Sequence, residues 1–292
     1  MKRIFVFLLM LIVLCGCSQK NVESDKLNIV TTNFVYYDFA KNIAGEKANV
    51  VMLVKPSTDI HSYEPAPEDI ITASYSDLFI YTGGNNDIWA QSVIENANIT
   101  NTVKMLDAVE IKHEHDPEMD EHIWTSPANA IKIVEAICSK LSALEPENSE
   151  YYRKNADSYK FELTLLDNEF AETVKNSKRT TLVFGDRFPF KHLTQRYNLS
   201  YYSAFGGCAH ESEPDAKTVA ELCDKVKNEN IPVIFYTEMS SDKMARTIAE
   251  NTGSKVLKLH SCHNVNTEEF ESGESYISLM KKNLENIREA LN

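Results

Sequence analysis

Four side chains that can hold a metal stand just beyond β-rich runs of this sequence. They are His61, some residues past "NVVMLV", Asp186 closing "TTLVFGD", Glu238 closing "IPVIFYTE" and His260 closing "KVLKLH". A fifth, His122, lies near the end of "EIKHEHDPEMDEHIW" (residues 110–124), where three histidines stand among six carboxylates. Neutral imidazole is a good donor to Zn, Cu, Ni and Fe, and carboxylates add charge to the same set. Three imidazoles with one carboxylate suit Zn2+ better than Mn2+, which favours more oxygen. Each residue has an ordinary alternative. His61 can bond a backbone carbonyl, Asp186 can cap a helix, Glu238 can pair with Lys or Arg, and His260 can be a buried, satisfied imidazole. Their common placement favours a shared centre, because open α/β sheets bind ligands beyond the carboxyl ends of their strands. Four protein ligands would close a tetrahedron and leave no place for a substrate water, which points to carriage of the ion. Such binding would weaken in acid as the histidines protonate.

The elements that must position these residues follow from the pattern around them. Short β-branched and aromatic runs alternate with helical patterns, once in each half of the chain. That alternation predicts an α/β fold of two lobes with parallel sheets covered by helices. "SPANAIKIVEAICSKLSAL" opens with Ser126 as N-cap and Pro127 at the first helical position, and carries an apolar face through Ile131, Val134, Ile137, Cys138 and Leu141. In "PENSEYYRKNADSYKFELTLLDNEFAETVKN", Tyr152, Ala156, Tyr159, Leu163, Leu166 and Phe170 recur every three or four residues. This is one apolar stripe down a long helix. About 30 residues would span roughly 45 Å, enough to run along both lobes and limit hinge motion. The expected division is a leader over 1–16, a polar stalk over 17–26, a first lobe over 27–145, the linking helix over 146–178 and a second lobe over 179–292.

The leader carries Lys2 and Arg3 and an apolar run through Leu14, the pattern of a secretory signal that is short for a membrane span. "LCGC" resembles the bacterial lipobox, which implies lipidation at Cys17 and a soluble body tethered to the outer face of a membrane. Without the leader, 28 basic residues face 43 acidic ones, a balance of −15. Nucleic acid is excluded as a natural partner for such a chain, and a cation is favoured. Cys138 and Cys223 lie on apolar helical stripes and read as small buried thiols. Cys208 in "FGGCAHE" and Cys262 in "LHSCHN" lie in loops after strand-like runs. In an exported protein they read as a disulfide, with a Cys/His zinc site from "CAH" and "CHN" as the competing arrangement.

Several segments carry a family resemblance over nearly the whole chain after the leader. "PSTDIHSYEPAPEDI" and "DEHIWTSPANA" resemble the first two ligand motifs of the zinc and manganese solute-binding lipoproteins of bacterial ABC importers. "FGDRFPFKHLTQRYNL" and "IPVIFYTEMSSDKMARTIAENTGSKVLKL" continue the likeness more loosely. The resemblance implies two α/β lobes joined by one rigid helix, with a single metal in the cleft between them held by two ligands from each lobe. Carried onto this chain, the ligands are His61, His122, Asp186 and His260, with carboxylate and imidazole exchanged between the last two relative to the common pattern. Glu238 and His210 are substitutes; His192, inside a helical pattern, reads as a surface or packing residue. His113 and His115, with Glu114, Asp116, Glu118, Asp120 and Glu121, fall where zinc-binding members carry a mobile collecting loop; a plain solvated loop is the alternative. The implied role is a monomeric zinc receptor, lipid-anchored on the extracytoplasmic face, delivering metal to an ABC permease. A manganese receptor, an adhesin-like surface lipoprotein and an exported zinc hydrolase with Glu238 as general base are the competing readings. The chain lacks HExxH, GxSxG and GxxxxGK, so common zinc-protease, serine-hydrolase and ATPase chemistry has no motif here.

Overall fold

The computed structural model describes residues 26–85, 87–110, 120–205, 214 and 216–292. The leader, Cys17, His113, His115, Cys208 and His210 lie outside the described residues. The chain first lays down β1 (Leu27–Thr31), α1 (Phe34–Ala44), β2 (Ala48–Met52), α2 (Pro67–Ser74), β3 (Leu78–Tyr81), α3 (Trp89–Asn96) and β4 (Thr102–Lys104). These strands pair in parallel in the order β2-β1-β3-β4. Two long helices follow, α4 (Pro127–Leu144) and α5 (Ser149–Lys175). The chain then builds β5 (Thr181–Phe184), α6 (Lys191–Tyr197), β6 (Ser200–Ser203), α7 (Ala216–Asn228), β7 (Val233–Tyr236), α8 (Lys243–Thr252) and β8 (Lys255–Lys258), and ends in α9 (Thr267–Glu271) and α10 (Tyr276–Leu291). The second sheet is also parallel, ordered β6-β5-β7-β8, so the two lobes repeat one topology.

Helix α5 buries Tyr152, Ala156, Tyr159, Leu163, Leu166 and Phe170, the stripe its sequence announces. Its 27 residues correspond to roughly 40 Å. A 3-10 turn over Pro146–Asn148 precedes it. The lobes do not merely hang from this helix. One continuous apolar core takes Ile29 and Ile80 from the first sheet, Leu182, Phe184 and Phe235 from the second, and the inner faces of α1, α4, α5 and α10. Smaller clusters fill the outer face of each sheet, around Val30 and Phe79 in one lobe and Val183 and Ile234 in the other. Core packing at this density resists shear, so the cleft between the strand ends is framed by a stiff body. No helix among the described residues is long and apolar enough to cross a membrane.

Candidate metal centre

His61 enters the cleft from a 3-10 turn, Ile60–Ser62, that follows β2. Asp59 caps this turn, its carboxylate accepting the His61 backbone N–H at 3.0 Å. His122 stands at the start of a second 3-10 turn, Ile123–Thr125, which leads into α4. Its Nδ1 lies 2.6 Å from Asp120 Oδ1, and its backbone N–H donates to the same oxygen at 3.0 Å. A carboxylate on Nδ1 fixes that nitrogen as the donor and leaves Nε2 with its lone pair for a metal. The other Asp120 oxygen accepts the backbone N–H of Lys191 at 3.1 Å, and the Asp120 carbonyl is 2.8 Å from His192 Nε2. Burial would raise the Asp120 carboxyl, but the imidazoles of His122 and His192 outweigh it and hold the group at about 2.

The third imidazole comes from the second lobe, and it is His263. Candidate donor atoms of His61, His122 and His263 all lie within 4.8 Å of one another. The ring centroids are 4.9 to 5.7 Å apart. Beneath them lies Trp124, fully buried, with its ring 5.4 Å from His122 and 4.9 Å from His263. Its indole N–H crosses to the second lobe and donates to the Ser261 carbonyl at 2.8 Å. The Trp124 carbonyl accepts the Tyr276 hydroxyl at 2.6 Å. Burial first, then the neighbouring His122 and His61 imidazoles, push His263 well below the ordinary histidine range, so it stays neutral and able to donate a lone pair.

This geometry corrects the expected ligand set at two positions. His260 is buried with both ring nitrogens engaged: Nδ1 accepts the Cys262 N–H at 2.9 Å, and Nε2 is 3.4 Å from Glu269 Oε2. Asn283 fixes its backbone from both sides, at 2.7 Å to its N–H and 2.7 Å to its carbonyl. Cys262 takes a left-handed φ of 60°, an uncommon conformation for a non-glycine residue, and the turn carries the chain on to His263. Asp186 is likewise absent from the cluster, with both oxygens engaged elsewhere. One of its oxygens accepts the Thr237 N–H at 2.8 Å and hydroxyl at 2.6 Å, the other the Arg187 N–H at 2.7 Å. It fastens the ends of β5 and β7 together.

The remaining expectations sort similarly. Glu238 lines the same pocket but spends its two oxygens on the Ser261 N–H, at 2.8 Å, and hydroxyl, at 2.5 Å. Asp120 and Glu121 do not belong to a loose collecting arm, since both side chains are buried and Glu121 accepts the Asn85 backbone N–H. His192 serves Asp120. Cys262 is a free, fully buried thiol, and Cys208, its expected partner, lies outside the described residues. Cys138 and Cys223 are buried free thiols as well. The sequence sign that points to His263 is slight: it sits in "CHN", three residues beyond a strand-end histidine, where a tight turn can bring it clear of the sheet.

Comparison with known proteins places this geometry in a family. Residues 29–290 match the family model described as "Zinc-uptake complex component A periplasmic" (ZnuA). Zinc-binding lipoprotein AdcA of Streptococcus pneumoniae is 33% identical over 307 residues, covering 99% of this chain, which spans 61% of that relative's length. The high-affinity zinc uptake system protein ZnuA of Bacillus subtilis is 31% identical over 302 residues, covering 97% of this chain and 94% of its own. Among solved structures, the Zn(II)-bound ZnuA-like domain of pneumococcal AdcA superposes with a TM-score of 0.79 at 33% identity, covering 91% of this chain and 99% of that one. The laminin-binding protein Lmb of Streptococcus agalactiae, described as having adhesin and metal transporting activity, gives 0.82 at 26% identity, covering 91% and 100%. A three-imidazole pocket between two like-folded α/β lobes, matched over nearly its whole length, thus belongs to the ZnuA family of zinc-uptake complex components.

Proposed function

We propose that this chain is an extracytoplasmic Zn2+ receptor that delivers its ion to an ABC permease, tethered to the membrane by lipid at Cys17. The observation that carries the reading is the convergence of His61, His122 and His263 on one point, with both lobes contributing. Three imidazoles match the preference of Zn2+ and offer too little oxygen for Mn2+. Asp120 and Trp124 hold two of the rings before any ion arrives, which lowers the ordering cost of binding. The cavity at the trio is about 50 Å³, room for an ion and a few water-sized groups. Glu238, committed to Ser261, is not placed as a general base, which favours carriage over hydrolysis. The zinc-uptake names of the family and of the Bacillus relative support the permease partner.

The test is titration of metal-stripped protein with Zn2+ and Mn2+ against a chelator of known affinity. One tight Zn2+ site per chain, lost in His61→Ala and His122→Ala, is the expected result. A Mn2+ preference, or zinc-dependent turnover of small esters, would contradict the reading.

A further inference from the structure

Resting on the zinc reading, we propose that the ion's fourth ligand is a small oxyanion of the carbonate class, seated between the three imidazoles and Arg187. Zinc takes four ligands, and among the described residues the cluster offers three. Two carboxylates at this end of the second lobe are already engaged. Both Glu238 oxygens are on Ser261 and Asp186 holds Thr237, while Asp59 accepts the His61 N–H through one oxygen. Arg187, by contrast, lines the pocket with its half-buried side chain and makes no ion pair or side-chain hydrogen bond with any described residue. A guanidinium facing a divalent cation opposes binding unless an anion lies between them.

The guanidinium supplies what such an anion needs. Its planar fork of N–H donors matches a carbonate or carboxylate edge in two parallel hydrogen bonds. Ser240, on the same wall, has its hydroxyl 3.0 Å from that of Thr237, whose single proton goes to Asp186. About 50 Å³ takes the ion and a three- or four-atom anion. Bound this way, the anion would donate one oxygen to zinc and turn its others to Arg187. Zinc and anion would then each tighten the other's hold, because binding linkage is reciprocal.

The experiment uses the full chain, stripped of metal, with free Zn2+ fixed by a chelator buffer in the absence and presence of bicarbonate. Bicarbonate is expected to raise zinc affinity on the order of tenfold, the scale of a lost or gained outer partner at a metal site. Arg187→Gln should abolish that increment, Arg187→Lys should keep part of it, and Glu238→Gln should leave it in place. With 13C-labelled bicarbonate, the zinc-loaded protein should show a bound carbonate resonance that is absent from Arg187→Gln. Zinc affinity independent of bicarbonate, or an increment that survives Arg187→Gln, overturns the proposal. So does loss of zinc affinity in Glu238→Gln with no bicarbonate effect, which would give the fourth place to Glu238. Absence of tight zinc binding in either buffer would instead contradict the receptor reading, and this inference with it.

Discussion

The two lobes share a strand order, yet they use their strand-end residues differently. In the first lobe Asp87 lies six residues past β3 and folds back to accept the N–H groups of Thr82, Gly83 and Gly84 at 2.7 to 3.2 Å. It shapes a turn beside the cleft, while His61 and His122 come from loops that travel well past β2 and β4 before turning inward. In the second lobe Asp186, Glu238 and His260 all stand within two residues of a strand end, and all three are fasteners. Among the described residues of this lobe, only His263, five residues past β8, joins the cluster. The difference teaches that a residue at the very end of a parallel strand is still inside the sheet's hydrogen-bond frame. Its polar atoms are claimed by neighbouring strand ends, and a loop must leave the sheet before it can present a lone pair to the other lobe.

Substitutions that separate fasteners from metal-facing residues differ in the size of their expected effect. Trp124→Ala removes the ring that His122 and His263 both pack against, and with it the hydrogen bond to Ser261. It should cost about 4 kcal/mol and lower Tm by roughly 10 °C, read by calorimetry on metal-free protein. Asp186→Ala leaves the Thr237 and Arg187 N–H groups without their acceptor. A loss of about 3 kcal/mol in urea denaturation is expected, with zinc affinity changing less than about tenfold. A larger affinity loss than that would return Asp186 to the ligand set. Asp120→Asn keeps the shape but weakens the hold on His122 Nδ1, and should reduce zinc affinity by about 10- to 100-fold while the fold survives.

The smallest effect is a pH dependence in the first lobe. Burial pushes the Asp87 carboxyl up to about 6, against the three backbone N–H groups that favour its charge. Its folded pKa therefore lies above its unfolded one, near 4. The stability it confers is present below about pH 4 and is lost as pH rises through about 6. Asp87→Asn should remove this component, worth at most about 1.4 kcal/mol per pH unit, from the slope of unfolding free energy between pH 4 and 6.

Much of the architecture was legible in the sequence because it rests on periodicity. The apolar stripe of α5, the capped start of α4 and the two sets of strands each follow from side-chain spacing that backbone geometry reads directly. His61 and His122 were legible for a related reason, since each sits in a loop whose length and turn residues carry it away from the sheet. His263 was not. Its placement depends on one left-handed residue, Cys262, and on Asn283 pinning the backbone of His260, contacts that span 23 residues and have no local signature. Asp120 was read as one acid in a charged run. Its role appears only when α6 of the second lobe is brought against it. The burial of Cys262 was not legible either, because the exported context of a cysteine says nothing about whether its loop is buried.

The central claim is that the second lobe donates His263 and not His260. It is tested most directly by measuring zinc affinity of His263→Ala and His260→Ala side by side, with thermal melts to separate binding from folding. The account predicts that His263→Ala loses more than about 100-fold in affinity, beyond the range of an outer partner, with little change in melting of the metal-free protein. His260→Ala should melt earlier, having lost its bonds to Cys262 and Glu269, yet keep zinc affinity within about tenfold. The reverse pattern, with tight zinc binding in His263→Ala and its loss in a folded His260→Ala, would contradict it.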